Sequence, residues 1–237
     1  MAALEKPSVD PTYLRPTWFL DWDHPDVVEF AHRTTEEANG DADRAVRLFY
    51  AVRDRIRYDP YTADLEPGTF KASLIAGRDA TFCVPKAILL AAAARAVGIP
   101  SRLGFADVRN HLATARLLRL LRTDLFVYHG YTEFFLDGRW VKATPTFNLS
   151  LCERFGVEPL EFNGRDDAML HPFDRDGKRH MEYVFDRGSY ADLSLDEMIP
   201  ALREAYPHLF DEHGRWTSPS QKTDFEKEAA RENREGR

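Results

Sequence analysis

One cysteine stands where a thiol can act as a nucleophile. Cys83 is followed two residues later by Pro85, which fits the first turn of a helix because its missing N–H group leaves no hydrogen bond unmade there. Free amides and the positive end of the helix dipole favour a thiolate, and the same amides can donate to an oxyanion. We therefore expect Cys83 to have a lowered pKa, although a free cysteine can equally be a small buried core residue.

A histidine in a predicted β-hairpin is the second candidate for chemistry. The Asp-Gly pair at 137–138 lies between two alternating segments, which predicts a two-residue type I′ turn. Counting back from this turn places His129 opposite Thr146, with Thr144 as a diagonal neighbour on the same face. A thiol and an imidazole that is oriented by a third residue form the arrangement that activates cysteine for acyl transfer.

The elements that carry these residues follow from the pattern of apolar side chains. An Ala- and Leu-rich segment after Cys83 predicts a long core helix that ends at Gly98. The other predicted helices are about 26–38, 42–57, 112–122 and 195–206, and the predicted strands are about 102–106, 126–136, 139–144, 158–163 and 181–186. Helices precede antiparallel strands, so we expect an α+β fold with the cysteine-headed helix packed on an antiparallel sheet.

Three segments together resemble the transglutaminase-like superfamily: AVRDRIRYD, the cysteine segment CVPKAILLAAAARAVGIPSR and the hairpin HGYTEFFLDGRWVKATP. The resemblance covers about residues 41–148. It implies a papain-like, transglutaminase-like core, with Cys83 as the nucleophile and His129 as the general base and acid. The family usually has an aspartate before the Pro-Thr that closes the hairpin, whereas this chain has Thr144.

The third residue of the site is where the chain departs from that family. Thr144 can accept a hydrogen bond from an imidazole, but it cannot stabilise an imidazolium as a carboxylate does. Three arrangements stay open: Thr144 serves alone, Asn148 orients the ring through its amide, or a carboxylate such as Asp107 reaches it. A site that has lost activity is a further alternative. For a second oxyanion donor the sequence offers Tyr58 or Tyr61, although tyrosines there can also be packing residues.

Composition limits the classes of function. The 237 residues carry 32 basic and 39 acidic side chains and a net charge of −7, which disfavours binding to the phosphates of nucleic acids. No apolar run is long enough for a membrane helix, and the N-terminus has no apolar signal segment. The two cysteines are therefore expected to be free thiols in the cytoplasm. The histidines lack the spacing of a zinc site, and we expect neither a metal nor an organic cofactor.

We expect one transglutaminase-like domain at 26–216, an N-terminal arm at 1–25 and a charged tail at 217–237 that is helical or frayed. The implied function is thiol-dependent acyl transfer at an amide, by hydrolysis or transamidation of a peptide, a protein or a small amide. The alternative is a transglutaminase-like module that has lost catalytic activity and binds a peptide or protein partner. We expect no nucleic-acid or membrane partner, and the sequence does not indicate an oligomeric state.

Overall fold

A computed structural model describes residues 9–217 and 224–234, so the expected arm and tail lie partly outside the described residues. The α-helices are α1 (Pro25–Thr35), α2 (Gly40–Arg55), α3 (Ala72–Ile75), α4 (Cys83–Ala96), α5 (Ala115–Leu121), α6 (Leu149–Phe155), α7 (Leu195–Ala205) and α8 (Phe225–Arg234). The strands are β1 (Arg57–Tyr58), β2 (Ala80–Thr81), β3 (Ser101–Asn110), β4 (Leu125–Leu136), β5 (Arg139–Ala143) and β6 (Met181–Tyr190). Strands β1 and β2 pair in parallel, and the others form an antiparallel sheet in the order β5-β4-β3-β6.

Helix α4 lies at the centre of the core. Residues 87–94 are all fully buried, so this helix has no polar face. Such a helix is stable only when other elements surround it, and here α1, α2 and α3 contact it while β3 and β4 lie against it. Gly98 follows with φ +83°, a left-handed conformation that ends the helix. The expected α+β fold, with a cysteine-headed helix packed on an antiparallel sheet, is confirmed.

Strands β4 and β5 form the predicted hairpin. Asp137 and Gly138 have φ angles of 48° and 82°, and a type I′ turn requires positive φ at both positions. Leu136 pairs with Arg139 next to the turn, as the sequence predicts, and the pairing continues in that register to the end of β5. The turn chemistry therefore determines which side chains of β4 share a face.

One predicted strand is wrong. Residues 158–163 have no regular secondary structure. Two side chains of α2 form the hydrogen bonds that a neighbouring strand would otherwise provide to this segment. Arg53 Nη1 donates to the Leu160 carbonyl at 2.5 Å, and Tyr50 Oη accepts from the Phe162 amide at 3.2 Å. An apolar segment can therefore be buried without joining the sheet when long polar side chains reach it.

The C-terminal helix α8 packs against the segment that follows the hairpin. Phe225 is buried, and its ring lies edge-on to Tyr58 with centroids 5.8 Å apart. The Glu226 carboxylate accepts a hydrogen bond from Asn148 Nδ2 at 2.8 Å. This part of the expected tail is therefore a packed helix, and most of the remaining tail lies outside the described residues. None of the described helices combines the length and hydrophobicity needed to span a membrane.

Candidate functional site

Cys83 is the first residue of α4, and the amides around its sulfur are those of a helix N-terminus. Burial raises the pKa of the Cys83 thiol, and the amides of Gly130 in β4, Val84 and Cys83 act against this rise as hydrogen-bond donors to the sulfur. The residue keeps some exposure, but its surroundings are apolar, and burial raises the pKa by more than the amides lower it. The expectation of a lowered pKa is therefore wrong, because it considered the helix terminus without the burial.

Gly130 allows β4 to approach α4 closely at the cysteine. A Cβ atom at this position would lie 3.0 Å from Val84 Cα and 3.3 Å from Val84 Cγ2, which is closer than a side chain normally comes. Further along the same pair of elements, Thr132 Oγ1 donates to the Ala87 carbonyl at 2.9 Å. These contacts hold the first turns of α4 against the strand that carries His129.

Replacing Gly130 by alanine is expected to slow acylation of Cys83 by about tenfold, because β4 must move a few tenths of an ångström away from the sulfur. The rate of acylation by p-nitrophenyl acetate measures this effect. Gly77→Ala is the matched control, since a Cβ at Gly77 would meet nothing within 4 Å. Acylation of the Gly130→Ala variant at the wild-type rate would contradict a role for this close approach.

A β-bulge in β4 sets the backbone directly before His129. Opposite Asp107 of β3, strand β4 has two residues instead of one. The second of them, Tyr128, has φ 60°, and its amide donates to Asp107 Oδ1 at 3.0 Å. Arg187 of β6 holds the same carboxylate through an Nη2–Oδ2 contact of 2.8 Å. Asp107, one of the alternatives for the orienting residue, therefore holds the strand rather than the imidazole.

The ring of His129 lies in an apolar environment. The residue is 4% exposed, and its ring packs edge-on against Tyr183 with centroids 6.3 Å apart. Within the described part of the chain, its Nε2 atom is buried and has no hydrogen-bond partner. Burial lowers the pKa of His129 to about 4, so the imidazole is neutral near pH 7 and can accept a proton.

The other two candidate orienting residues are engaged elsewhere. Thr144 Oγ1 donates to Met169 Sδ at 3.6 Å. Asn148 Oδ1 accepts from the Tyr58 amide at 2.8 Å, and its Nδ2 donates to Glu226. Among the described contacts, neither side chain has a hydrogen bond to the imidazole. Asn148 instead connects the segment after the hairpin to β1 and α8.

The two candidate oxyanion donors differ in position. Tyr61 Oη donates to the Glu228 carboxylate at 2.9 Å, so its hydroxyl is occupied. Tyr58 lines the same cavity as Cys83. Burial raises the pKa of Tyr58 well above its usual value, so its phenol stays protonated and can donate a hydrogen bond.

A buried lysine next to the site was missed in the sequence. Lys86 Nζ donates to the carbonyls of Arg53 at 2.9 Å, Ile56 at 2.6 Å and Thr146 at 3.0 Å. The Arg53 and Ile56 carbonyls lie at the C-terminal end of α2, where no further helical amide follows that could donate to them. Burial lowers the pKa of Lys86 to about 7. The three carbonyls act in the opposite direction, because each accepts one N–H group of the ammonium form. A lone lysine three residues after the cysteine in an apolar helix was the available signal.

Cys83 and His129 line one cavity of about 110 Å³. Thr146 also lines it, and its Oγ1 atom is buried with no hydrogen-bond partner among the described residues. The other lining residues include members of α5, α7, the ends of β3 and β4, the segment 58–65 and the chain that follows α7. In the described part of the chain, no three His, Cys, Asp or Glu side chains are grouped so that they could hold a metal ion.

A second buried histidine lies outside this cavity. His180 is 5% exposed, its Nδ1 has no partner in the described chain, and its ring stacks on Phe147 with centroids 5.9 Å apart. Burial lowers its pKa from 6.5 to about 4. The stability that this histidine contributes is therefore complete above pH 6.5 and is lost as the pH falls through 4, because the unfolded chain binds the proton more readily.

Replacing His180 by phenylalanine is expected to make the free energy of unfolding less dependent on pH between 6.5 and 4, by roughly 3 kcal/mol. Urea unfolding at several pH values in this range measures the change. His213→Asn serves as the control, because His213 is exposed. An unchanged pH dependence in His180→Phe would contradict the neutral state of the buried ring.

Comparison with known proteins assigns a family to the segment that contains these residues. Residues 28–145 match the model of the transglutaminase-like superfamily. Comparison with curated proteins gives no match. A solved structure described as a "Putative Cysteine Protease" from Cytophaga hutchinsonii has 18% sequence identity and a TM-score of 0.44, and the alignment covers 56% of this chain and 40% of that chain. Residues 28–145, from α1 to the end of the hairpin, are therefore a transglutaminase-like domain.

Proposed function

We propose that the protein catalyses thiol-dependent acyl transfer at an amide, with Cys83 as the nucleophile and His129 as the general base and acid. The observation that carries this proposal is the shared cavity: a thiol at a helix N-terminus and a neutral imidazole line the same space in a transglutaminase-like domain. The match to the transglutaminase-like superfamily supports, at the level of the family, an enzyme that uses a thiol and acts on amides. The substrate class that fits is a peptide, a protein side-chain amide or a small amide.

The reaction begins with both groups neutral. As Cys83 Sγ attacks the carbonyl carbon, an S–C bond forms and the thiol proton passes to His129. The imidazolium returns this proton to the amide nitrogen, the C–N bond breaks and an amine leaves. Water then attacks the thioester to give a carboxylic acid, or a second amine attacks it to give a new amide, and either step regenerates the thiol.

Backbone amides at the sulfur supply the stabilisation of negative charge. The Cys83 and Gly130 amides act on the sulfur, which makes them the candidate donors to the carbonyl oxygen of a substrate bound there. The Tyr58 phenol adds an O–H donor that lines the same cavity. Donors that are fixed before the reaction need no rearrangement as charge develops, and each is worth about 10²–10³ in rate.

The test compares wild type with Cys83→Ser on a mixed peptide library, with and without added methylamine, by mass spectrometry. We expect hydrolysed or methylamidated products from the wild type and none from the variant. Cys152→Ser is the matched control, because it removes the other thiol, which is buried and contacts the Phe147 carbonyl at 3.8 Å. Products at the wild-type level from Cys83→Ser would overturn the proposal.

A second candidate function is a module without catalytic activity that binds a peptide or protein partner. It is favoured by the unpartnered Nε2 of His129 and by Thr144 at the position of the family's usual carboxylate. In the library experiment, this alternative predicts no product from the wild type and selective retention of peptides on the immobilised protein.

A further inference from the structure

The cavity at the candidate site has a lining without charge. No aspartate, glutamate, lysine or arginine is among the described residues that line it. Leucines 117, 120 and 121 of α5 and Met198 and Leu202 of α7 form much of its surface. A charged ligand group would lose its hydration there without gaining a partner, so the lining favours a neutral, apolar group.

A tyrosine after α7 fixes one wall of this cavity through two hydrogen bonds. Tyr206, directly after α7, donates through its hydroxyl to the Leu125 carbonyl at 2.7 Å and accepts from the Val127 amide at 2.8 Å. Both partners belong to β4, the strand of His129. This double hydrogen bond fixes α7 beside the cavity. An empty apolar cavity destabilises a protein, and an apolar ligand that fills it removes this cost.

The size of the cavity restricts the group that fits. Its volume is about 110 Å³. An engineered apolar cavity of roughly 150 Å³ takes up benzene, so the smaller space here limits the ligand to a branched aliphatic group or at most one small ring. A long chain or a fused ring system would need the surrounding helices to move.

The lining contains one hydroxyl oxygen without a hydrogen-bond partner among the described residues, which favours a ligand that has hydrogen-bonding groups. Thr146 is 1% exposed, lines the cavity, and its hydroxyl has no partner among the described residues. A buried hydroxyl without a partner is unfavourable. An amide that carries an apolar side chain supplies both a donor or acceptor for this hydroxyl and a group for the apolar walls.

Between the two parts of an amide substrate, the acyl part suits this cavity better than the amine part. The amine leaves uncharged and takes up a second proton from water near neutral pH, and no acidic side chain in the described lining would stabilise the resulting ammonium group. The acyl part carries no charge at its carbonyl and stays attached to the sulfur until the thioester is resolved. We propose that the cavity binds the acyl side chain of the substrate and that this side chain is apolar and uncharged, either branched aliphatic or aromatic.

This inference rests on the proposed function, and a set of p-nitrophenyl esters tests it by varying the acyl part alone. The esters are the acetate, the 4-methylpentanoate, the phenylacetate and the 4-carboxyphenylacetate, whose carboxylate cannot reach its own ester group. The rate of Cys83 acylation is followed by nitrophenol release, confirmed by peptide mapping and divided by the rate with free N-acetylcysteine. We expect the two apolar acyl groups to react roughly 10- to 200-fold faster than acetyl and the anionic 4-carboxyphenylacetyl group to react no faster than acetyl.

A pair of variants on α7 assigns this selectivity to the cavity. Leu202 and Ile199 are both half-buried on this helix, but only Leu202 lines the cavity. Leu202→Gln should reduce the preference for phenylacetyl over acetyl at least fivefold, whereas Ile199→Gln should retain it. The wild-type ester series decides the question even if a variant does not fold.

The possible outcomes separate this inference from the proposed function. If Cys83 is acylated but all esters react at the same normalised rate, or the anionic 4-carboxyphenylacetyl ester reacts fastest, the acyl-cavity proposal is overturned and the thiol chemistry stands. If no ester acylates Cys83 faster than it acylates N-acetylcysteine, the proposed function is overturned and the cavity proposal with it.

Discussion

Replacing His129 by glutamine is expected to lower the rate of amide cleavage by about 10²–10⁴-fold, because glutamine cannot take the thiol proton or return it to the leaving amine. Product formation from a peptide amide that the wild type cleaves is the measurement. His180→Gln is the matched control. Both histidines are buried with a pKa of about 4, but His180 does not line the cavity of Cys83.

Alkylation by iodoacetamide shows whether this loss comes from proton transfer. Since burial raises the pKa of Cys83 and lowers that of His129, the resting pair is neutral. Alkylation of the wild type should therefore slow about tenfold for each unit that the pH falls below the thiol pKa, and His129→Gln should follow the same profile. A plateau of fast alkylation in mildly acidic solution that disappears with His129 would instead indicate a resting ion pair.

Replacing Lys86 by methionine is expected to lower the free energy of unfolding by about 3 kcal/mol or more, because three buried carbonyls lose their donor at once. Urea unfolding measures this change. Lys178→Met is the control, since Lys178 is exposed and its replacement should change stability by less than about 0.5 kcal/mol.

The Lys86→Met variant should also affect the site. The Thr146 carbonyl loses its bond to Nζ, and the Thr146 side chain lines the cavity of Cys83. We expect slower acylation of Cys83 in the portion of the variant that remains folded. Stability within experimental error of the wild type would mean that the methionine packs well enough to replace all three hydrogen bonds.

The elements that the sequence predicted best are those whose signals are local. The hairpin register follows from the Asp137-Gly138 turn, and the core helix follows from its composition and from Gly98. The segment 158–163 was predicted incorrectly because its conformation depends on the Arg53 side chain, which is more than a hundred residues away in the sequence. A pattern of apolar residues carries no information about such a partner.

The same distinction applies to the candidate site. Sequence singled out Cys83 and His129 by residue type and position, and both line one cavity. The predicted direction of the Cys83 pKa shift was wrong, because burial raises this pKa and burial depends on the whole fold. Lys86 and Gly130 were overlooked because their importance arises from carbonyls of α2 and from the approach of β4 to α4.

The close approach of Gly130 to Val84 joins the two elements that carry the reacting groups. The sulfur and the imidazole belong to α4 and β4, which are joined at this contact and through Thr132, so their relative position is stiff. The cavity walls from α5 and α7 carry no member of this pair. Substitutions in those two helices can therefore diverge between relatives, or be engineered, to retune which substrates are accepted while the chemical step keeps its geometry.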